Sequence, residues 1–159
     1  MKSEISIIQV IQLMLAPGLM ISACGLLLLG MNNKYSLVVN RIRLLNEEKR
    51  KFFSKAGEKD LQYEENVRLE SLSMQLNGLT FRVKLIRNAV LSYTIAVAFF
   101  VLTSLSIGFQ FIFEAEKIDF LITALFLAGM ILVLIGVIYA AYETKKGYNI
   151  IHLEVKIDE

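Results

Sequence analysis

The residue types that usually carry enzyme chemistry are few in this sequence, and they are not grouped. His152 is the only histidine and Cys24 the only cysteine, and no carboxylate cluster lies beside either of them. A zinc or iron site needs several such ligands at short spacings, and the chain has neither a glycine-rich phosphate loop nor a serine in a nucleophile elbow. We therefore predict no catalytic residues, no metal site and no cofactor, and we expect that the protein is not an enzyme.

A stripe of polar and small residues along the first apolar stretch points to a different chemistry, the passage of ions. At about 100° per residue these side chains share one helix face. They are Gln9, Gln12, Ala16, Ala23, Gly30, Lys34 and Arg41. In a ring of identical helices they would line a path with a basic inner mouth, which favours anions. The alternative is structural, because glutamines near the end of a span can be satisfied by interfacial water.

Small residues predict where helices approach one another, since close backbone packing drives helix association in lipid. The predicted packing positions are Gly18, Ser22 and Gly25 in the first apolar stretch, and Gly129 and Gly136 in the third. The second stretch carries a polar stripe formed by Asn88, Ser92, Ala96, Thr103, Ser106 and Gln110. Hydroxyl groups in such helices often bond to a carbonyl of the preceding turn. This stripe therefore faces either other helices or water.

Three stretches without Asp, Glu, Lys or Arg must position these residues: 5–31, 89–113 and 120–142. Each reaches the roughly 20 residues that a helix needs to cross a bilayer. The chain is 55% hydrophobic, with a mean hydropathy of +0.56, and we predict an all-α integral membrane protein with three transmembrane helices. For the first stretch a cleaved signal is the alternative, but the apolar run continues as "GLLLLG" after Cys24.

The distribution of basic residues predicts the orientation in the membrane. Twelve of the seventeen Lys and Arg residues lie between Asn32 and Asn88, whereas the short segment "EAEKID" between the second and third spans is acidic. Segments rich in Lys and Arg stay on the cytoplasmic side. We therefore expect the long segment and the C-terminus in the cytoplasm, and the N-terminus and the acidic loop outside.

The long segment between the first two spans has the pattern of an antiparallel helical hairpin. Its second half repeats apolar residues in steps of three and four, as in a heptad seam: Leu69, Leu72, Leu76, Leu79, Val83, Ile86 and Val90. Its first half has a weaker seam of Val38, Ile42, Leu45 and Phe52. The break falls at "SKAGEKD", with Gly57 and Asp60 at the helix ends. Because no proline follows Pro17, we expect the first span to continue as one helix through Arg43.

The predicted organisation has four parts. They are a transmembrane helix at 1–33, a cytoplasmic helical hairpin at 34–87, two transmembrane helices at 88–143 and a cytoplasmic tail at 144–159. The hairpin seam either packs within one chain or joins neighbouring subunits, because both arrangements give the same pattern. Acidic residues interleave with the basic ones in the hairpin, so we expect no nucleic-acid partner.

Two elements of the sequence resemble the bacterial family catalogued as domain of unknown function 2721. The first runs from Ala16-Pro17 through Lys34 to the "NRIRLL" element, in which Asn40 stands where that family usually has an acidic residue. The second, "FRVKLIRNAVLSYTIA", matches the family at Arg82, Arg87, Asn88 and Ala89. The resemblance implies a three-span bacterial membrane protein and little about its activity.

These observations favour a homo-oligomeric protein of the bacterial inner membrane, in contact with membrane lipid. The first hypothesis is an ion channel lined by the first span. The rival is a non-conducting scaffold whose hairpin binds a cytosolic partner. A small-molecule transporter ranks third, because three spans without internal repeats are a poor basis for alternating access.

Overall fold

The computed structural model describes residues 7–56, 63–113 and 118–157, and all of these except Ile118 are helical. The helices are α1 (Ile7–Ala56), α2 (Tyr63–Phe113) and α3 (Asp119–Ile157). Each contains a stretch that is long and apolar enough to cross a membrane. This confirms the prediction of an all-helical protein with three such helices. Gly57 and Asp60, the predicted helix ends, lie outside the described residues.

Each helix extends well beyond its charge-free stretch. The prediction that the first span continues through Arg43 is confirmed, and α1 runs on to Ala56. α3 passes Tyr142, the end of the third charge-free stretch, and continues to Ile157 through residues predicted as the tail. A sequence without proline or a glycine pair offers no strong stop signal there.

The chain forms two compact units, each built from parts of all three helices. Unit 1 contains Met1–Gly30 and Ala89–Ile138, and unit 2 contains Met31–Asn88 and Tyr139–Glu159. The charge-free stretches fall largely in unit 1. Most of the basic residues fall in unit 2.

Unit 1 has an apolar core around Cys24, Ala96 and Phe100, which are fully buried. The Phe100 ring packs against Phe126 with 5.6 Å between ring centroids and an interplanar angle of 59°. Of the polar stripe of the second span, Ala96 belongs to this core, and the Thr103 hydroxyl is buried and donates to the Phe99 carbonyl at 2.8 Å. Thr103 thus satisfies its hydroxyl group within its own helix.

Unit 2 is held by the heptad seams. Leu72, Leu79 and Ile86 of the second seam are buried, and so are Val38 and Leu45 of the first. At the surface, an ion pair joins Arg68 to Glu48 at 3.0 Å, and the Lys49 ammonium donates to the Ser73 hydroxyl at 3.2 Å. Apolar burial is therefore the main stabilising term here, since exposed ion pairs of this kind contribute about 0–1 kcal/mol.

Burial recurs at every seventh residue in all three helices. The buried positions are Val10, Pro17, Cys24, Met31, Val38 and Leu45 in α1, Leu72, Leu79, Ile86, Tyr93 and Phe100 in α2, and Gly129, Gly136 and Glu143 in α3. A period of seven is typical of helices that pack side by side over a long distance. In α3 the same repeat places the charged Glu143 on the buried face that Gly129 and Gly136 occupy earlier in the helix.

Candidate functional site

The most unusual side chain in the described structure is Glu143 of α3. It directly follows the charge-free stretch 120–142, and only 1% of its side chain is exposed. A carboxylate removed from water in this way is strongly destabilised unless cations and hydrogen-bond donors surround it. Its burial follows from the seven-residue repeat of α3, which turns this position inward.

Two cationic side chains from the other helices bind this carboxylate within unit 2. The Arg82 guanidinium of α2 donates from Nη2 at 2.6 Å and from Nε at 3.0 Å, both to Oε1. The Lys34 ammonium of α1 donates to Oε2 at 3.1 Å and to the Thr144 hydroxyl at 3.2 Å. One carboxylate therefore links all three helices, and the cluster keeps a net charge of +1 from two cations and one anion.

The two cations differ in how firmly they are held. The Arg82 side chain is 22% exposed and contributes two donors to one oxygen, whereas the Lys34 side chain is 45% exposed and contributes one donor to the carboxylate. Charge-assisted hydrogen bonds strengthen as water is excluded. The bond to Arg82 is therefore the stronger one, and Lys34 keeps partial access to solvent.

Gly147 makes room for this arrangement on α3. A Cβ atom at this position would lie 3.0 Å from Nη2 and 3.1 Å from Cζ of Arg82. Such distances are shorter than ordinary van der Waals contact, so a larger residue would push the guanidinium away from Glu143. The absence of a side chain here lets the guanidinium lie directly against the helix.

An aromatic and basic surface adjoins this cluster in unit 2. The Lys146 ammonium lies 6.0 Å from the centroid of the Phe81 ring and 5.9 Å from that of the Tyr142 ring. Both rings are exposed over nearly half of their surface. The neighbouring Lys84 and Lys145 are exposed as well.

The residues predicted to line a pore lie on the exposed surface of α1. Gln9, Gln12, Ala16, Ala23, Gly30, Lys34 and Arg41 are all exposed. Of these, Lys34 makes the contacts to Glu143 and Thr144 described above. In the described chain, no side chain or backbone of another helix comes within 4 Å of a Cβ built at Gly30. The role of the stripe in a pore stays a prediction.

The predicted packing positions divide into two groups. Cβ atoms built at Gly18 and Gly25 would meet nothing within 4 Å, and the Ser22 hydroxyl is exposed and donates to the Gly18 carbonyl at 3.3 Å. In contrast, Cβ atoms at Gly129 and Gly136 would lie 2.7 Å from Phe100 and 2.5 Å from Tyr93. The α3 glycines thus accommodate two large buried rings, whereas the packing role of the α1 positions stays a prediction.

The sequence reasoning missed Glu143 and the role of Arg82 beside it. An acidic residue at the end of an apolar span is usually solvated, and its partners are distant in sequence. The signal that could have found it is its spacing of seven from Gly136 and Gly129. Among the described residues, no group of three His, Cys, Asp or Glu side chains could hold a metal ion.

Comparison with known proteins identifies the family of this chain. The profile of a family described as "Protein of unknown function (DUF2721)" matches residues 14–153, which is most of the chain. No curated protein and no solved structure matches the chain. The match includes Ala16-Pro17, Lys34, Arg82 and Glu143, so the three charged residues of the cluster lie inside the shared region. The chain is a member of the DUF2721 family.

Proposed function

We propose that this protein is a homo-oligomer of the bacterial inner membrane in which α1 helices line an ion-permeable path. The observation that carries this proposal is the exposed stripe of Gln9, Gln12, Ala16, Ala23 and Gly30. Amide side chains are costly in contact with hydrocarbon. Copies of α1 arranged around an axis would direct them to one another or to water.

An apolar continuation of the same stripe supports assembly through α1. Positions 9, 16, 23 and 30 continue at intervals of seven to Leu37 and Leu44, whose side chains are 70% and 60% exposed. These leucines lie in the segment that we expect in the cytoplasm, where exposed apolar surface is unfavourable. Burying a leucine side chain contributes about 1.5–3 kcal/mol. A second seam of period seven is the pattern by which helices of separate subunits associate.

Arg41 would contribute positive charge at the inner end of such a path. Lys34 shares its ammonium with Glu143 and Thr144, which offsets its charge locally. Arg41 is exposed on the same stripe, seven residues further along α1. In a ring of subunits the guanidinium groups of Arg41 would attract anions.

Ion flux through reconstituted protein tests the channel. Purified protein in planar bilayers under a salt gradient should conduct, and Arg41→Glu should shift the reversal potential toward cation selectivity. The matched control is Arg43→Glu, because Arg43 is also exposed but lies about 200° further around the helix. An equal shift in both variants would contradict the assignment of the lining face.

A non-conducting scaffold is the second candidate, and a different surface favours it. Val67, Met74 and Phe81 follow one another at intervals of seven along α2, and all three are exposed. An apolar stripe of this kind on the hairpin fits a partner helix. Wild-type protein that stays oligomeric in liposomes but passes no current under any gradient would favour the scaffold over the channel.

A further inference from the structure

We infer that the surface around Lys146 in unit 2 binds the headgroup phosphate of an anionic phospholipid. The Lys146 ammonium lies near two exposed rings, at 6.0 Å from the Phe81 centroid and 5.9 Å from the Tyr142 centroid. It forms no salt bridge with a described residue, and Glu143, the acid nearest to it on α3, already binds Arg82 and Lys34. Cation–π contacts at exposed positions are weak, so this ammonium keeps its capacity to bind an anion.

Two further lysines follow the two rings along their helices. Lys84 lies three residues after Phe81 on α2, and Lys145 lies three residues after Tyr142 on α3, which is the spacing of neighbours on one side of a helix. Both are exposed. Residues 71–113 of α2 contain no Asp or Glu, so this helix brings no competing carboxylate to the surface. The positive charge is therefore available to a negatively charged ligand.

The depth of this surface fits a lipid headgroup better than a ligand from bulk water. Lys146 lies four residues after Tyr142, where the charge-free stretch ends, which is about 6 Å along the helix. The headgroup layer on each side of a bilayer is roughly 5–7 Å thick. An exposed tyrosine at this level, such as Tyr142, is typical of the membrane interface. The ammonium thus lies at the level of the lipid phosphates, with Tyr142 at the end of the charge-free stretch.

Lipid binding by the full-length protein in detergent tests the site. Phosphatidylglycerol and phosphatidylcholine of equal chain length are the probes, and retained lipid is measured by native mass spectrometry. Wild type should retain phosphatidylglycerol in preference, and Lys146→Gln should weaken that binding about fivefold, the effect of one basic residue near an anionic surface. The matched control is Lys51→Gln, since Lys51 is exposed but lies twenty residues beyond the first charge-free stretch. Its binding should equal that of wild type.

Two results would overturn the inference. One is equal retention of the two lipids by wild type, and the other is a Lys146→Gln variant that keeps its melting temperature and binds phosphatidylglycerol as wild type does. Inorganic phosphate separates the two sources of the phosphate group. Displacement of the lipid only at phosphate concentrations far above those of the lipid supports a headgroup site, whereas equal affinity for free phosphate contradicts it. Because none of these measurements requires ion flux, the outcome is independent of whether the protein conducts.

Discussion

Replacing Glu143 by glutamine is the most direct test of the buried cluster. The substitution keeps the shape of the side chain but removes the negative charge from a position that is 1% exposed. Lys34 and Arg82 would then share a neutral acceptor. The glutamine side chain also has an NH2 donor in place of one carboxylate oxygen. Either Lys34 or Arg82 therefore loses its hydrogen-bond acceptor.

The magnitude follows from the three hydrogen bonds to this carboxylate. The two bonds from the Arg82 guanidinium lose the negative charge of their acceptor, which costs about 1 kcal/mol each. The single bond from Lys34 contributes about 0–1 kcal/mol because that side chain is 45% exposed. We therefore expect Glu143→Gln to lower the free energy of unfolding by about 2–3 kcal/mol, and Glu143→Ala, which removes the acceptor entirely, by about 3–5 kcal/mol.

Denaturant unfolding in detergent, followed by circular dichroism, measures this difference. The matched control is Glu48→Gln, which removes a carboxylate from the exposed ion pair with Arg68. That change should stay within about 0.5 kcal/mol of wild type. Arg82→Met should cost more than Lys34→Met, because Arg82 provides two of the three bonds. If Glu143→Gln lost no more stability than Glu48→Gln, the cluster would not be the stabilising feature that its geometry indicates.

The remaining predictions concern packing and topology. Gly136→Ala should destabilise unit 1 by about 1–3 kcal/mol, because the new Cβ would lie 2.5 Å from the buried Tyr93 ring. Gly108→Ala should not destabilise the protein, because nothing lies within 4 Å there and alanine favours a helix more than glycine does. Equal melting temperatures of the two variants would contradict this packing. In intact cells, a cysteine at Glu116 should react with an impermeant thiol reagent and one at Lys55 should not, with the buried Cys24 giving little background. The reverse labelling would invert the predicted topology.

Local hydropathy and the spacing of apolar residues were sufficient to predict the helices. Absence of charge over about 20 residues is a local property, and it identified all three apolar helices before any tertiary contact was known. The seam from Leu69 to Val90 also predicted the inward face of α2. Three of its residues, Leu72, Leu79 and Ile86, are buried in the structure. The lack of a stop signal after Gly30 predicted the continuity of α1.

The cluster at Glu143 could not be predicted in the same way. Its partners lie 109 and 61 residues away in sequence, and no local pattern joins Lys34, Arg82 and Glu143. From the sequence alone, Lys34 could be assigned only to the predicted pore-lining stripe on α1. The contact that binds its ammonium depends on the register in which the helices of unit 2 pack.

The packing of unit 2 distinguishes Lys34 from Arg41, although both residues lie on the same predicted stripe of α1. Lys34 and Arg41 are seven residues apart on α1, yet Lys34 binds Glu143 and Thr144. Loss of the Lys34 charge would therefore act first on the stability of the cluster. Arg41 is exposed on the stripe, so a change there would act on the surface that the stripe faces. Under the channel proposal, Arg41→Glu should change the charge selectivity, whereas Lys34→Met should first lower the stability of the cluster.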